Sequence, residues 1–410
     1  MRNLRVHTDR IRSDIEAMAA ITDPGRPWTR RAFSPRFDEG RSWLETRFSE
    51  AGLDVSTDAA GNMIGRRTGS VKGLGTILIG SHSDTVPDGG RFDGIGGVIV
   101  ALEVARMLKE QKIVLRHDLA VVDFLAEEVS VFGVSCIGSR GMTAALPKDW
   151  LDLTHDGRTL AQAIRDVGGA PDKPVDPGKV RAFLELHIEQ GTVLENEGTD
   201  LGIVTAIAGI ERIEVVLTGQ PDHAGTTPMG TRADALVAAA ALVCDIDAEA
   251  KRRAAGPDHF TATVGEFGIE PGAANVVPGR VRMLIDARSS QREAMEDFLA
   301  WIEERAQRMP ERIRAETRLM SDNHPTPMDD GLITMLESAA ETIGASHRRM
   351  VSGAGHDAAY MAKIAPAAMI FVPSKDGRSH CPEEWTEAGD IALGAELMAE
   401  AVIALDQERN

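Results

Sequence analysis

Short apolar runs that break into polar residues recur in the first and last parts of the chain. The four clearest are GTILIGSHSD, DLAVVDFLAEE, VRAFLELHIEQ and PAAMIFVPS. Strands that are apolar throughout are typical of a parallel or mixed sheet whose two faces are covered by helices. Between the first two runs, Gly94–Gln111 carries apolar residues on one helical face and predicts a crossover helix. The pattern therefore predicts an α/β domain with a mixed, largely parallel sheet.

Two helices are predicted before this region. Apolar residues recur at helical spacing over Leu4–Ala20 and again over Asp38–Gly52, where the glycine is a stop signal. The segment between them, TDPGRPWTRRAFSP, contains the proline and glycine residues of a loop.

The middle of the chain follows a different order. From about Ile210 to His324 we predict strand, helix (Arg232–Ala250), strand, strand, helix (Gln291–Arg308) and strand. This β-α-β-β-α-β order is that of a split, ferredoxin-like α+β unit. Because it interrupts two α/β segments, we predict an inserted domain at residues 210–324. A discontinuous domain at 1–209 and 325–410 surrounds it.

Composition narrows the class of protein. The 410 residues carry 45 basic and 63 acidic side chains, a net charge of −18, without a dense basic cluster, which argues against a nucleic-acid partner. Three cysteines are too few for a disulfide framework and fit a reducing, cytoplasmic compartment. The N-terminus lacks an apolar stretch long enough for a signal peptide or membrane span, so no membrane association is expected.

Polar side chains with the chemistry of metal ligands follow the predicted strands. Ligands of open α/β sheets bind at the carboxyl ends of the strands. The residues found there, or in the loop after the first strand, are His82, Asp84, Asp93, Glu127, Glu128, His187 and His380. Imidazole and carboxylate without sulfur suit zinc, manganese, cobalt or nickel.

The number of these residues predicts two divalent metal ions. His82 and His187 would hold one ion and Glu128 and His380 the other, with Asp93 bridging. Glu127, beside a ligand, is then the predicted proton acceptor for the attacking water.

Asp84, two residues after His82, is predicted to orient the His82 ring. A single histidine at a strand end is more often structural, so the prediction depends on the whole set.

The motifs between residues 80 and 385 resemble those of the M20 metallopeptidase-like hydrolases. They are GSHSDTVPDGGRFDG, FLAEEVSVFGVSCIGSRGM, LELHIEQG, DHAGTTPMGTRADAL, GAANVVPGRVRMLIDAR, SGAGHDA and DGRSHCPEEW. Within that family the sequence is similar to the amidase/carbamoylase branch, which includes N-carbamoyl-L-amino-acid hydrolases, allantoate amidohydrolases and β-ureidopropionase. The resemblance implies the same metal ligands and the same general base. It also implies a zinc-peptidase-like catalytic domain with an inserted dimerisation or lid domain.

The resemblance adds substrate residues. Gln190 matches a position near the metals, and His223, Asn275 and Arg288 match positions that bind the substrate carboxylate and polarise its carbonyl. A planar guanidinium suits a carboxylate, and an imidazole can stabilise a developing oxyanion. The turn from Gly353 to Gly355 could offer backbone N–H groups to the same carboxylate, although it could equally be a plain tight turn.

His223 lies in the inserted segment, away from the predicted metal ligands. It could reach them by closure of its own chain or from a neighbouring subunit. Since the resemblance makes the inserted domain a dimerisation element, we expect a homodimer in which His223 acts in trans.

Other chemistries fit less well. GVSCIG around Ser135 is not a nucleophile elbow, and Gly94–Gly97 lacks dinucleotide-binding spacing. Cys136 as a nucleophile has no neighbouring feature that would lower its pKa. A binding protein that has lost catalysis stays open as a different class.

The expected function is a binuclear-metal amidohydrolase that cleaves a linear amide or ureido C–N bond of a small carboxylate substrate. We expect an N-carbamoyl-L-amino acid. Allantoate, ureidoglycolate, N-acyl amino acids and peptides are the alternatives, because they share the chemistry and differ in pocket contacts.

Overall fold

The computed structural model describes residues 4–408, which divide into two units. The first contains the described residues up to Thr205, Met328–Met350 and those from Gly355 onward. The second contains Ala206–Pro327 and Val351–Ala354. The predicted boundaries lay at 209/210 and 324/325, and they assigned the segment 351–354 to the surrounding domain instead.

The elements are as follows. The helices are α1 Thr8–Ala20, α2 Pro35–Glu50, α3 Ile95–Glu110, α4 Ile137–Met142, α5 Leu160–Asp166, α6 Val193–Glu197, α7 Ala235–Ala254, α8 Arg292–Gln307, α9 Asp330–Ile343, α10 Ala358–Met361 and α11 Ala388–Gln407. The strands are β1 Asp54–Thr57, β2 Met63–Arg67, β3 Thr76–His82, β4 Asp118–Phe124, β5 Thr154–His155, β6 Arg158–Thr159, β7 Val180–Ile188, β8 Leu201–Ile207, β9 Gly209–Thr218, β10 Phe260–Glu270, β11 Arg280–Ser289, β12 Arg314–Asn323, β13 Thr326–Pro327, β14 His347–Ser352 and β15 Ala367–Val372.

The larger sheet has the strand order β1-β2-β4-β3-β7-β15-β8-β13, with β14 beside β8. Its four central strands, β4, β3, β7 and β15, are parallel, whereas β1, β2, β8 and β13 pair antiparallel. All residues of β3 and β15 are buried. The mixed α/β fold with a mostly parallel central sheet is therefore confirmed, and so is the inference that continuous apolar runs are central strands.

Helices pack against this sheet and against one another. α3 packs on β3, β4 and β7, and α11 packs on α3, β7 and β15. The α3 residues from Ile95 to Leu108 are all buried, which explains why this helix is apolar nearly all round. Within residues 4–408, no helix combines the length and the apolar character that crossing a membrane requires.

In the second unit, β9, α7, β10, β11, α8 and β12 follow one another in the order of strands and helices predicted from the sequence. The four strands form an antiparallel sheet of order β10-β11-β9-β12. Burial alternates along β11, so that Val281, Met283 and Ile285 lie in a core shared with α7 and α8. The period-two pattern of β11 is what a sheet covered on one face requires.

Several helix ends differ from the prediction. α1 begins at Thr8 because the N-cap residue His7 is extended, although Leu4 is buried. α2 begins at Pro35 because the Ser34 hydroxyl accepts a hydrogen bond from the Phe37 N–H. Serine at the N-cap and proline at the first helical position are ordinary start signals that the prediction overlooked.

Candidate active site

The metal-type side chains converge at one edge of the central sheet. His82 ends β3, Glu127 and Glu128 follow β4, His187 lies near the end of β7, and His380 follows β15. Because these four strands are parallel neighbours, their carboxyl ends meet at the same edge. Parallel pairing of these strands therefore brings side chains that are far apart in the sequence to one place.

Asp93 is the centre of this cluster. Its Oδ1 lies 3.1 Å from His187 Nε2 and 3.6 Å from His82 Nε2. Its Oδ2 lies 3.2 Å from His380 Nε2, which is 3.0 Å from Glu128 Oε1. Each carboxylate oxygen thus belongs to a different group of donors: His82, Asp93 and His187 form one, and Asp93, Glu128 and His380 form the other.

Two histidines are oriented by contacts on the far side of their rings. His82 Nδ1 lies 3.1 Å from the Asp84 carbonyl oxygen, and His187 Nδ1 lies 3.0 Å from the Ile188 carbonyl oxygen. A neutral imidazole that donates its Nδ1–H to a carbonyl presents a lone pair at Nε2. Both Nε2 atoms face Asp93, which is the arrangement a metal ligand needs.

Asp84 connects two of the ligand-bearing segments. Its Oδ1 lies 3.5 Å from His82 Nδ1. The backbone N–H groups of Glu127 and Glu128 donate to its two carboxylate oxygens, each at 3.2 Å. Asp84 is 1% exposed, so these contacts are shielded from water.

Glu127 faces the cluster without belonging to either donor group. Its Oε2 lies 3.6 Å from His82 Nε2, and the Cys136 thiol donates to its Oε1 at 3.5 Å. Ala126 has φ 52°, an uncommon conformation for a residue with a side chain, at the point where the chain turns after β4. His380 has φ 55° and shares this feature.

The cluster contains several buried carboxylates, which nearby positive charge would stabilise. Burial disfavours ionisation of Glu127 and, with the negative charge of Glu128, raises the pKa of Glu127 well above its usual value, although His82 opposes this. Hydrogen bonds to Asp93 and Glu128 raise the pKa of His380 to about 11. Buried carboxylates this close together are stabilised either by taking up a proton or by nearby cations.

Gly94 shows how tightly the site is packed. It has φ 66°, and a Cβ atom there would lie 2.3 Å from the His82 ring. Glycine therefore lets the loop that carries Asp93 approach the imidazole.

Gln190 makes contacts that its predicted role did not include. Its Nε2 donates to Asp93 Oδ2 at 2.9 Å and to Ser379 Oγ at 3.2 Å. Its Oε1 is buried and has no hydrogen-bond partner within the described part of the chain. Gln190 thus supports Asp93 and keeps one acceptor free.

Three buried residues around the site were missed by sequence reasoning. Glu185 accepts from Ser81 Oγ at 2.7 Å, and the His356 ring packs edge-on to His187, with 4.5 Å between centroids. Glu384 accepts from backbone N–H groups of the Asp93 loop. Glu185 had a usable signal, because it precedes His187 by two residues and shares its face of β7.

The other predicted substrate residues lie in the second unit, except Gly355. Asn275 and His223 are neighbours. The Ala224 N–H donates to the Asn275 carbonyl, and His223 forms an isolated antiparallel β-bridge with Val276. Arg288 donates from Nε to Asp286 Oδ1 and from a terminal nitrogen to the Gly353 carbonyl, each at 2.7 Å. The structure thus brings Arg288 together with Gly353, and His223 with Asn275.

The donor set fits hard or borderline divalent cations. Within each donor group, one ligand atom from every residue lies within 4.8 Å of the others. Imidazole nitrogen and carboxylate oxygen without thiolate match zinc, manganese, cobalt or nickel.

Known proteins are similar to this chain in sequence and fold over nearly its full length. Residues 78–404 match the profile of Peptidase family M20/M25/M40. An N-carbamoyl-L-amino-acid amidohydrolase from Paenarthrobacter aurescens is 35% identical over 411 residues, covering 98% of this chain and 99% of that protein. An allantoate amidohydrolase from Escherichia coli K12 is 36% identical over 383 residues, covering 92% of each.

A solved structure of a related amidase has a fold similar to that of this chain. An amidase of the hydantoinase/carbamoylase family from Burkholderia multivorans has a TM-score of 0.92 at 33% identity, over 99% of this chain and 100% of that one. The resemblance noted from the motifs is thereby confirmed. The chain belongs to Peptidase family M20/M25/M40.

Proposed function

We propose that this chain is a metal-dependent amidohydrolase that cleaves the carbamoyl C–N bond of an N-carbamoyl-L-amino acid. The products would be the free amino acid, ammonia and carbon dioxide. The observation that carries the proposal is the pair of donor groups that share Asp93, with the Glu127 carboxylate directly beside them. Relatives named as N-carbamoyl-L-amino-acid amidohydrolases support this choice of substrate.

His82, Asp93 and His187 would hold one divalent ion, and Asp93, Glu128 and His380 a second. When bound, such ions lower the pKa of a water molecule and polarise the substrate carbonyl. Glu127 takes the proton from the attacking water and returns it to the leaving nitrogen. Asp84 would hold the His82 ring in position relative to the backbone of Glu127 and Glu128, through the contacts described above.

The substrate carboxylate would bind to Arg288 and Asn275, with His223 at the developing oxyanion and backbone N–H groups of the Gly353–Gly355 turn nearby. Asp286 and the Gly353 carbonyl hold the Arg288 guanidinium in place, which leaves its other N–H groups for a ligand. The free Oε1 of Gln190 would accept an N–H of the carbamoyl group.

Removal of Arg288 tests carboxylate recognition. Truncating one partner of a charge pair that is buried in a complex costs about 2–5 kcal/mol. If the bound substrate covers Arg288, Arg288→Ala should therefore lower kcat/KM for carboxylate substrates by ~30- to 4,000-fold. Arg282→Ala is the matched control, because Arg282 lies on the same strand and pairs with Glu214 and Glu266 instead. Steady-state kinetics would decide. Equal turnover of a carboxylate substrate and its amide by the wild type would rule this role out.

We further propose that residues 210–324 form a ferredoxin-like dimerisation and lid domain. The antiparallel sheet order and the separate core described above support a unit that folds around its own helices. Two such units would join the chains, and each would supply His223 to the partner's metals.

Subunit mixing tests action in trans. A His223→Ala subunit keeps its metal ligands, and a His380→Ala subunit keeps His223. Each alone should be nearly inactive, while a heterodimer of the two should regain up to about half of the wild-type activity, because two-fold symmetry leaves one complete site. No recovery, with heterodimers demonstrated by native mass spectrometry, would mean that His223 acts within its own chain or not at all.

The function itself is tested by a substrate screen with metal-free and reconstituted protein. Ammonia and free amine would be measured over N-carbamoyl amino acids, allantoate, ureidoglycolate, N-acyl amino acids and dipeptides. We expect metal-dependent ammonia release, fastest with an N-carbamoyl-L-amino acid. A preference for allantoate or ureidoglycolate would mean that the substrate is the one named for the corresponding relatives. Amine release without ammonia would point to an N-acyl substrate or peptide. No turnover at all, with metal bound, would favour a binding protein.

A cytoplasmic location stays a prediction from the cysteine count.

A further inference from the structure

Glu384 is a fully buried carboxylate that touches two of the ligand-bearing loops. Its Oε1 accepts hydrogen bonds from the backbone N–H groups of Phe92, at 2.7 Å, and Asp93, at 3.0 Å. Its Oε2 accepts from the hydroxyl of Ser379, at 3.0 Å. Glu384 therefore connects the loop of Asp93 to the loop of His380, which are almost 290 positions apart in the sequence.

The Asp93 loop is shaped to receive this carboxylate. A Cβ atom at Gly90 would lie 1.9 Å from both Cδ and Oε1 of Glu384. Only a residue without a side chain lets the backbone come this close. The two consecutive N–H donors, with Gly90 close by, form a cradle that a shorter side chain would leave partly empty.

The hydroxyl of Ser379 lies between the carboxylates of Glu384 and Asp93. Its Oγ lies 2.8 Å from Asp93 Oδ2 and 3.0 Å from Glu384 Oε2. Asp93 Oδ2 is the oxygen that faces His380. Because Glu384 fixes both the backbone of Asp93 and the hydroxyl beside it, it limits the positions that this oxygen can adopt.

We propose that Glu384 is a positioning residue that holds Asp93 so that its two oxygens serve two donor groups at once. The proposal rests on the proposed function, because it requires those groups to bind metal. Glu384 itself is not in either donor group. It acts on metal binding through the backbone of Asp93 and through Ser379.

The test measures metal affinity and the metal's environment, apart from turnover. Wild type, Glu384→Ala and Glu384→Gln would be titrated with Co²⁺ against a chelator, and the visible spectrum of the bound Co²⁺ would be recorded. Loss of groups that orient ligands typically lowers affinity by about 10- to 100-fold, which we expect for Glu384→Ala. Glu384→Gln keeps an acceptor for the two N–H groups but not the charge, so it should fall between alanine and wild type.

Asp406→Asn is the matched control. Asp406 is also buried in the first unit and accepts from two consecutive N–H groups, those of Arg116 and His117, at 2.7 and 2.8 Å. It should lose thermal stability in the metal-free state yet keep wild-type Co²⁺ affinity and spectrum. A Glu384 variant that behaves in the same way would overturn the proposal.

A double-mutant cycle gives an independent decision if Glu384→Ala does not fold. Ser379→Ala and Glu384→Gln should weaken Co²⁺ binding less than additively when combined, because both act on the same Asp93 oxygen. Additive effects would contradict the proposal. Wild-type protein that binds no Co²⁺ would contradict the proposed function instead.

Discussion

Glu127→Gln should lower kcat by about 10²- to 10⁴-fold while metal content and folding stay unchanged. Glutamine has the shape of glutamate but cannot hold the proton that water gives up. Glu127 belongs to neither donor group, although its Oε2 is only 3.6 Å from His82 Nε2. Because substrate binding does not need a base, KM should change less than kcat.

Steady-state kinetics and elemental analysis of the same sample would check this expectation. Glu128→Gln is the matched comparison, since Glu128 is adjacent in sequence and its Oε1 lies 3.0 Å from His380 Nε2. It should lose metal from the group that contains His380. If Glu127→Gln lost metal and Glu128→Gln kept it, the two roles would be exchanged.

Asp93→Ala should abolish binding of both of the proposed metal ions and with it all measurable turnover. Asp93 is the member common to the two donor groups, and it supplies one oxygen to each. His380→Ala, in contrast, should lose one ion and leave the group of His82 and His187 intact. Metal content after gel filtration, with activity before and after chelation, would separate the two variants.

Asp406→Ala controls for the loss of a buried carboxylate. Asp406 is 6% exposed, against 5% for Asp93, but its partners are backbone groups and His117. It should retain both ions. Equal metal content in Asp93→Ala and wild type would show that Asp93 bridges nothing, and full activity after exhaustive chelation would end the metal hypothesis altogether.

The central sheet and its polar edge were predictable because their signals are local. An apolar run followed by His82, or by Glu127 and Glu128, carries both the strand and the position of its end. Parallel pairing then places such ends together whatever their separation in the chain. The convergence of His187 and His380 follows from this rule.

Contacts that join distant loops left no such signal. Glu384 looks like one of several acidic residues in HCPEEW, and its role depends on how closely Gly90 approaches it. The support that Gln190 gives to Asp93 was likewise invisible, because a side chain's partner across the fold is decided by packing. Helix ends also moved, as at Thr8, where an extended His7 sets the start although the apolar pattern begins earlier.

The position of β15 has a consequence for the order in which the protein assembles during translation. β15 lies between β7 and β8 in the sheet, yet the ribosome makes it more than 150 residues after both. The nascent chain therefore exposes a gap in its main sheet while Ala206–Pro327 is being made. The second unit, which is almost continuous in sequence, is free to fold first.

The late synthesis of β15 also delays completion of the candidate metal site. His380 follows β15 and emerges from the ribosome later still, so the donor group that it shares with Asp93 and Glu128 is completed only after β15 has been made. A truncated or stalled chain would carry His82 and His187 on an unfinished sheet with unpaired strand edges, which is an aggregation-prone state. Premature termination before residue 367 should therefore yield insoluble protein rather than a partly active enzyme.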